Sequence, residues 1–218
     1  MEKLARAALI VLIGFIPLSC SSPDVPTNRG VYMLLDTSGT YTKELQKARQ
    51  IIAYLLTQME SGDAFAVARI DTGSFSEKDI IAKMTFNDRP SAANQEKRVF
   101  LEKVDEFIGT TRSAAYTDIT GGLLQAEEYL TEHEVGNKTI LVFSDMQEEL
   151  PAGYVRDLEL SFDRVEVVAV NVTKLRTDNV DPREYLGRLA NWRQKVESGG
   201  GEWRVVNDLD QLGKLLRE

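Results

Sequence analysis

Cysteine and histidine are almost absent from this chain, which has one of each in 218 residues. The single cysteine, Cys20, excludes a disulfide within the chain. Without a second histidine or a further cysteine, zinc sites and Cys–His or Ser–His catalysis lack essential groups. His133, the only histidine, stands in a polar segment at the end of a predicted helix, so we interpret it as a surface residue. Candidate metal ligands are therefore sought among the oxygens of carboxylates and hydroxyls.

Acidic residues outnumber basic residues in this chain. Lys and Arg number 26 against 34 Asp and Glu, which gives a formal net charge of −8. This acidity argues against a nucleic-acid partner and against adhesion to anionic lipid headgroups through the domain surface. The arginines are scattered rather than clustered, and we interpret five of them as solvated: Arg156, Arg164, Arg183, Arg188 and Arg193. The length suits one domain with a sizeable core.

The longest apolar run is too short to span a bilayer comfortably. Residues 9–18 are mainly apolar and follow a start that contains Lys3 and Arg6. A positive start, a short apolar stretch and small residues after it are typical of a secretory signal peptide. We therefore predict a signal peptide over residues 1–19.

The residues that follow predict a membrane anchor. Residues 18–21, Leu-Ser-Cys-Ser, resemble the bacterial lipobox, in which the cysteine is lipid-modified and becomes the new N-terminus. The resemblance implies lipidation of Cys20, a polar tether over residues 20–29, and a place in the cell envelope outside the cytoplasm, at the outer membrane in a Gram-negative host. The alternative is ordinary signal cleavage near Ser22, which leaves a soluble exported protein.

Beyond the tether, strand patterns alternate with helix patterns. Alternation of this kind predicts right-handed crossovers and an α/β fold, with one doubly wound, mostly parallel sheet flanked by helices over residues 30–218. The second and third strands are close enough in the chain to form an antiparallel hairpin at a sheet edge. The predicted strands are 31–35, 64–70, 80–86, 139–143, 165–172 and 203–206; the predicted helices are 45–59, 91–108, 117–130, 181–198 and 209–216.

The end of the first strand carries a candidate cation site. Residues 31–35 are apolar and read as a strand buried on both faces. Directly after them, Asp36, Ser38 and Thr40 present a carboxylate and two hydroxyls, with Gly39 allowing a tight turn. Open α/β sheets bind ligands at the carboxyl ends of their strands. Hard oxygen ligands at that place suit a hard cation such as Mg²⁺.

The motif Asp36-x-Ser38-x-Thr40 resembles the metal-ion-dependent adhesion site of von Willebrand factor type A domains. In that family a threonine that opens a later helix, matched here by Thr117, and an aspartate that ends the following strand, matched by Asp145, complete the site. The resemblance implies that these five residues hold one Mg²⁺, or Mn²⁺ or Ca²⁺. It also implies a protein that binds rather than an enzyme, with an open metal position for an acidic residue of a partner protein.

Nearby residues leave alternatives open. Thr120 is a rival to Thr117 as the helix-opening ligand. Asp118, Glu148 and Glu149 are interpreted as a possible acidic rim around the site, or as solvated acids on loops. Gly121 and Gly122 are costly in a helix, and close packing of that helix against the sheet would explain them.

Two other functions compete with metal-dependent binding. One is an interaction scaffold of the same fold that needs no metal. The other rests on residues 36–40, which also resemble the Asp-x-x-Gly-Thr motif of haloacid-dehalogenase-type phosphotransferases, where Asp36 would be phosphorylated. That family needs a downstream acidic pair for Mg²⁺, and Asp178 and Asp181 are the only plausible pair.

Overall fold

The computed structural model describes residues 26–212, except residues 40, 72, 74, 75, 157, 176, 209 and 210. The predicted signal peptide, the lipidation site Cys20 and most of the tether therefore lie outside the described residues. So do the predicted metal ligand Thr40 and most of the predicted last helix. None of the helices in the described part combines the length and apolarity needed to span a bilayer.

The described residues contain one six-stranded sheet with the strand order β3-β2-β1-β4-β5-β6. All neighbouring strands are parallel except β2 and β3, which form the predicted antiparallel pair at one edge. The predicted fold class is confirmed. The strands are β1 Arg29–Asp36, β2 Ala64–Ile70, β3 Ile80–Thr85, β4 Asn137–Phe143, β5 Val165–Val170 and β6 Glu202–Val206.

Helices cover both faces of this sheet. Apolar residues of α1 and α2 pack on one face, and those of α3 and α4 pack on the other. The described connection between β4 and β5 contains no helix. The α-helices in the described residues are α1 Leu45–Gln58, α2 Pro90–Thr110, α3 Ile119–Glu132 and α4 Pro182–Ser198.

The central strand β1 contributes to both layers of the core. Val31, Met33 and Leu35 face the layer of α1 and α2. Tyr32 and Leu34 face the layer of α3 and α4. All five side chains are at most 1% exposed. Burial on both faces explains why the strand reads as a continuous apolar run, as is usual for central strands of parallel sheets.

A close contact between α3 and the sheet accounts for one helical glycine. A Cβ added at Gly122 would lie 3.1 Å and 3.2 Å from the two Cδ atoms of Leu34, a fully buried side chain of β1. The close-packing interpretation of Gly122 is therefore confirmed.

Gly122→Val is expected to destabilise the fold by about 1–3 kcal/mol, because its methyl groups overpack the contact with Leu34. Gly109→Val is the matched control, since a Cβ added at Gly109 meets nothing within 4 Å. That control is expected to stay within about 0.5 kcal/mol of wild type. Urea unfolding measures both. Equal losses in the two variants would contradict the packing explanation.

Candidate metal centre

Three separate segments of the chain meet at the carboxyl edge of the central strands. β1 and β4 are parallel neighbours, with Leu35 opposite Phe143, so the residues after both strands lie side by side. The segment before α3 is held there by main-chain hydrogen bonds, 2.8 Å and 3.0 Å long, between Thr117 and Glu149. The Ser38 segment pairs with Ala114. The topology therefore brings together segments that are distant in the sequence, such as Asp36 and Ser144, which are 108 residues apart.

The Asp36 carboxyl is fully buried and surrounded by donors. Its Oδ1 accepts a 2.8 Å hydrogen bond from the Ser38 N–H, and its Oδ2 accepts a 2.6 Å hydrogen bond from the Ser144 hydroxyl. Burial raises the pKa of Asp36, and hydrogen bonds from Ser144, Ser38 and Thr117 oppose that rise. The hydroxyls of Ser38 and Thr117 are therefore adjacent to this carboxyl.

A second carboxyl lies close to the first. Asp145 is 3% exposed, and burial raises its pKa to about 6. Its Oδ1 accepts a 2.9 Å hydrogen bond from the Gln147 N–H, which opposes the rise. The neighbouring charges of Asp36 and Glu149 raise the pKa of Asp145 further, while Arg188 lowers it. Two poorly solvated carboxyls at one place favour a cation between them.

The donor set fits a small hard cation. Asp36 and Asp145 supply negative oxygens, and Ser38 and Thr117 supply neutral hydroxyl oxygens. Mg²⁺ prefers such ligands and usually retains several waters in its octahedral shell. The described residues contain no cluster of three or more His, Cys, Asp or Glu side chains suited to a metal. The candidate site differs from such a cluster because only two of its side chains are carboxyls and the others are hydroxyls.

Thr117 and Thr120 have different surroundings. The Thr117 hydroxyl is adjacent to the Asp36 carboxyl. Thr120 lies in the first turn of α3, where its N–H donates a 2.7 Å hydrogen bond to Glu148. The Thr120 hydroxyl is buried and has no hydrogen-bond partner in the described part of the chain. The structure therefore groups Thr117, and not Thr120, with the first motif.

Asp118 is not a rim residue, because its side chain is fully buried. Its Oδ1 accepts a 2.8 Å hydrogen bond from the Gly121 N–H and so caps α3. Its carboxylate also forms an ion pair with the Arg156 guanidinium, whose side chain is only 10% exposed. Asp118 thus stabilises the start of the helix behind Thr117, and the surface-residue interpretation of Arg156 is wrong.

The two glutamates of the predicted rim also differ from each other. Glu148 is half-buried; it accepts the hydrogen bond from Thr120 and lies 3.5 Å from the Lys195 Nζ. Glu149 is exposed. Only Glu149 therefore presents a largely open carboxylate beside the site.

Sequence reasoning missed three residues that support the site from the β4 and α4 side. Ser144 bonds Asp36, Arg188 contacts the main chain of Asp145, and Trp192 contacts that of Met146. The interpretation of Arg188 as a solvated residue is wrong, because its side chain is only 10% exposed. The position of Ser144 directly before Asp145 at a strand end was the one signal that the sequence offered.

The acidic pair needed for phosphoryl transfer is engaged elsewhere. Both Asp178 oxygens accept hydrogen bonds from Arg188, at 3.2 Å and 2.7 Å. Asp181 caps α4 by accepting a 3.0 Å hydrogen bond from the Arg183 N–H, and it also pairs with the Arg183 guanidinium. Both carboxylates have structural partners, so the phosphotransferase interpretation gains no support from them.

Comparison with known proteins gives similarity of fold. No model of a known protein family matches the chain, and no curated protein matches it. The pilus adhesin SpaC from Lactobacillus rhamnosus GG is 10% identical with a TM-score of 0.53; the match covers 89% of this chain and 29% of that one. The human COPII-coat protein Sec24c is 13% identical with a TM-score of 0.51, covering 88% and 32%.

A third similar structure is described as a von Willebrand factor type A protein from Catenulispora acidiphila. It is 17% identical with a TM-score of 0.49, and the match covers 88% of this chain and 41% of that one. The present chain thus spans less than half the length of each of these three proteins. At such identities the likeness concerns the fold alone. Fold and site together define a doubly wound α/β domain with carboxyl and hydroxyl side chains from three segments at the carboxyl edge of its sheet.

Proposed function

We propose that this chain is a von Willebrand type A-like domain that binds a partner protein through a divalent cation. Asp36, Ser38, Thr117 and Asp145 would hold Mg²⁺, Mn²⁺ or Ca²⁺, and Thr40 would complete the set. The observation that carries the proposal is the meeting, at one edge of the sheet, of the residues after β1, the residues after β4 and the turn before α3.

The chemistry of this donor set favours binding over turnover. Two carboxylates balance the formal charge of a divalent ion but do not fill its coordination shell, so the ion still requires further oxygen ligands, and a water in that shell can be exchanged for one. A carboxylate on a partner protein meets that requirement. The one downstream acidic pair that phosphoryl transfer would use to hold Mg²⁺, Asp178 and Asp181, is paired with arginines.

An open groove beside the site offers room for the partner around its acidic anchor. The groove has a volume of about 500 Å³ and lies between the residues that follow Asp145 and one side of α4. Its lining includes two acidic and two basic residues, Glu148, Glu184, Arg188 and Lys195. With Glu149 exposed nearby, the surroundings carry more acidic than basic groups, so we propose a partner whose anchor is set among basic residues.

The direction of β1 places the site far from the predicted anchor. Arg29 begins β1 and Asp36 ends it. Eight strand residues span roughly 25 Å. A chain tethered through a lipidated Cys20 would therefore enter the sheet at the edge opposite the metal centre. An extracytoplasmic domain anchored in this way would present its site away from the bilayer.

Affinity capture tests this function. The domain over residues 26–218 is immobilised and exposed to envelope proteins of the source cell with Mg²⁺ or with chelator. We expect partners that are retained with Mg²⁺, released by chelator and not captured by Thr117→Val. Thr120→Val is the matched control, and it is expected to capture as wild type does. Partners that persist equally in chelator and in both variants would favour the metal-independent scaffold.

A further inference from the structure

Helix α4 contacts the main chain on which Asp145 stands. The Arg188 Nε donates a 3.0 Å hydrogen bond to the carbonyl of Asp145, and the Trp192 Nε1 donates a 2.8 Å hydrogen bond to the carbonyl of Met146. Arg188 and Trp192 are four residues apart and therefore project from the same face of the helix. One helix face thus bonds two consecutive carbonyls directly after β4.

The segment that they hold is conformationally unusual. Met146 has a φ of +64° although it is not glycine, and its side chain is 1% exposed. L residues rarely adopt this left-handed conformation, so it persists only where the surroundings enforce it. The Met146 N–H donates a 3.0 Å hydrogen bond to the Ser144 hydroxyl, which in turn donates to Asp36. The turn after β4 is therefore connected to the other carboxyl of the site.

Arg188 also has other partners, which fix the position of its side chain. Its two terminal nitrogens bond both oxygens of Asp178, which is held by a 2.7 Å hydrogen bond from the Leu175 N–H. The Asp178 side chain is 0% exposed, and the Arg188 guanidinium lies over the Tyr185 ring at 5.7 Å from its centroid. A planar guanidinium has several N–H donors in a fixed arrangement, so it can bond a carboxylate and a carbonyl at once. The ammonium group of a lysine lacks this arrangement.

We propose that Arg188 and Trp192 of α4 are positioning residues of the metal centre, which act by holding the Asp145–Met146 main chain. This inference rests on the proposed function and extends it to a helix outside the adhesion-type motif. By bonding the two carbonyls, α4 keeps the turn after β4 in its left-handed conformation and the Asp145 carboxyl beside that of Asp36. Loosening either bond lets Asp145 leave the place where a cation would need it.

Metal titration separates positioning from general stability. Arg188→Met is expected to weaken Mg²⁺ and Mn²⁺ binding by at least about tenfold, as for other residues that orient metal ligands. Trp192→Phe keeps an aromatic ring but removes the donor to Met146, and a severalfold loss is expected. Arg193→Met, on the same helix in an exposed ion pair, is the charge-matched control and should bind as wild type does. Calorimetry measures the affinities, and thermal unfolding in chelator measures the stabilities.

Val196→Ala provides the second control. Val196 is a buried residue of α4, and its truncation should lower the melting temperature without changing the affinity of the folded protein for Mg²⁺. If Val196→Ala weakens binding as much as Arg188→Met does, or if Arg188→Met and Trp192→Phe both bind as wild type does, the positioning role is refuted. Should Arg188→Met fail to fold, Trp192→Phe decides alone. A wild-type domain that binds neither ion overturns both this inference and the proposed function.

Discussion

Asp145→Asn is expected to weaken Mg²⁺ binding more than about 100-fold, because even residues that only support metal ligands contribute about 10- to 100-fold. The change removes one of two buried negative charges while keeping the shape of the side chain. Titration calorimetry on the domain measures the loss. Glu148→Gln neutralises a half-buried carboxylate of the neighbouring groove, and we expect it to retain most of the affinity.

In the absence of metal, Asp145→Asn should be more stable than wild type, which is the opposite of the order expected with Mg²⁺. Burial raises the pKa of Asp145 to about 6, whereas an aspartate in the unfolded chain has a pKa of about 4. Wild-type stability therefore falls as the pH rises through this range, and the asparagine variant is spared that loss. At pH 8 in chelator Asp145→Asn should melt above wild type, and excess Mg²⁺ should reverse this by stabilising wild type alone. An equal response of both proteins to Mg²⁺ would exclude Asp145 as a ligand.

Asp118→Ala is expected to destabilise the fold by about 3–5 kcal/mol, the usual effect of removing one partner from a buried ion pair. The Arg156 guanidinium, 10% exposed in its side chain, loses its carboxylate, and α3 loses the acceptor that caps its start. Such a loss is a large part of the roughly 5–15 kcal/mol that holds a typical domain together. Urea unfolding measures it.

Asp181→Ala is the matched control for Asp118, since Asp181 also caps a helix and pairs with an arginine, but on the surface. Asp181→Ala should lower the free energy of unfolding by clearly less than Asp118→Ala does. Adding Arg156→Met to Asp118→Ala should recover part of the loss, because the double variant removes the buried positive charge together with its carboxylate. If Asp118→Ala costs no more than Asp181→Ala, Asp118 does not play the buried role described above.

The sequence predicted the fold well because its signals are local. The apolar run of β1 and the Pro182 that follows the capping Asp181 of α4 mark strand and helix directly. The predicted ends of the strands and helices were less accurate. The strand predicted over residues 165–172 ends at Val170, because Asn171 adopts a φ of +56° and leaves the extended conformation. A positive φ at asparagine is permitted by sequence but not required by it.

The grouping of the candidate site residues was predictable in part for the same reason. Asp36, Thr117 and Asp145 each stand at a strand end or helix start, and the topology then places them together. The roles of Arg156 and Arg188 were not predictable, because each depends on a partner 38 or more residues away. Asp118 was misplaced because a charge next to a predicted ligand suggests an accessible rim, while its role as a helix cap turns it inward.

The path of β1 has a mechanical consequence. β1 begins where the chain enters the domain and ends at Asp36, and it is bonded along its length to parallel strands on both sides. A molecule pulled by its N-terminus while gripped at the opposite edge would carry the tension along this one strand. The load would act in shear across two ladders, so many hydrogen bonds would have to rupture together rather than one after another.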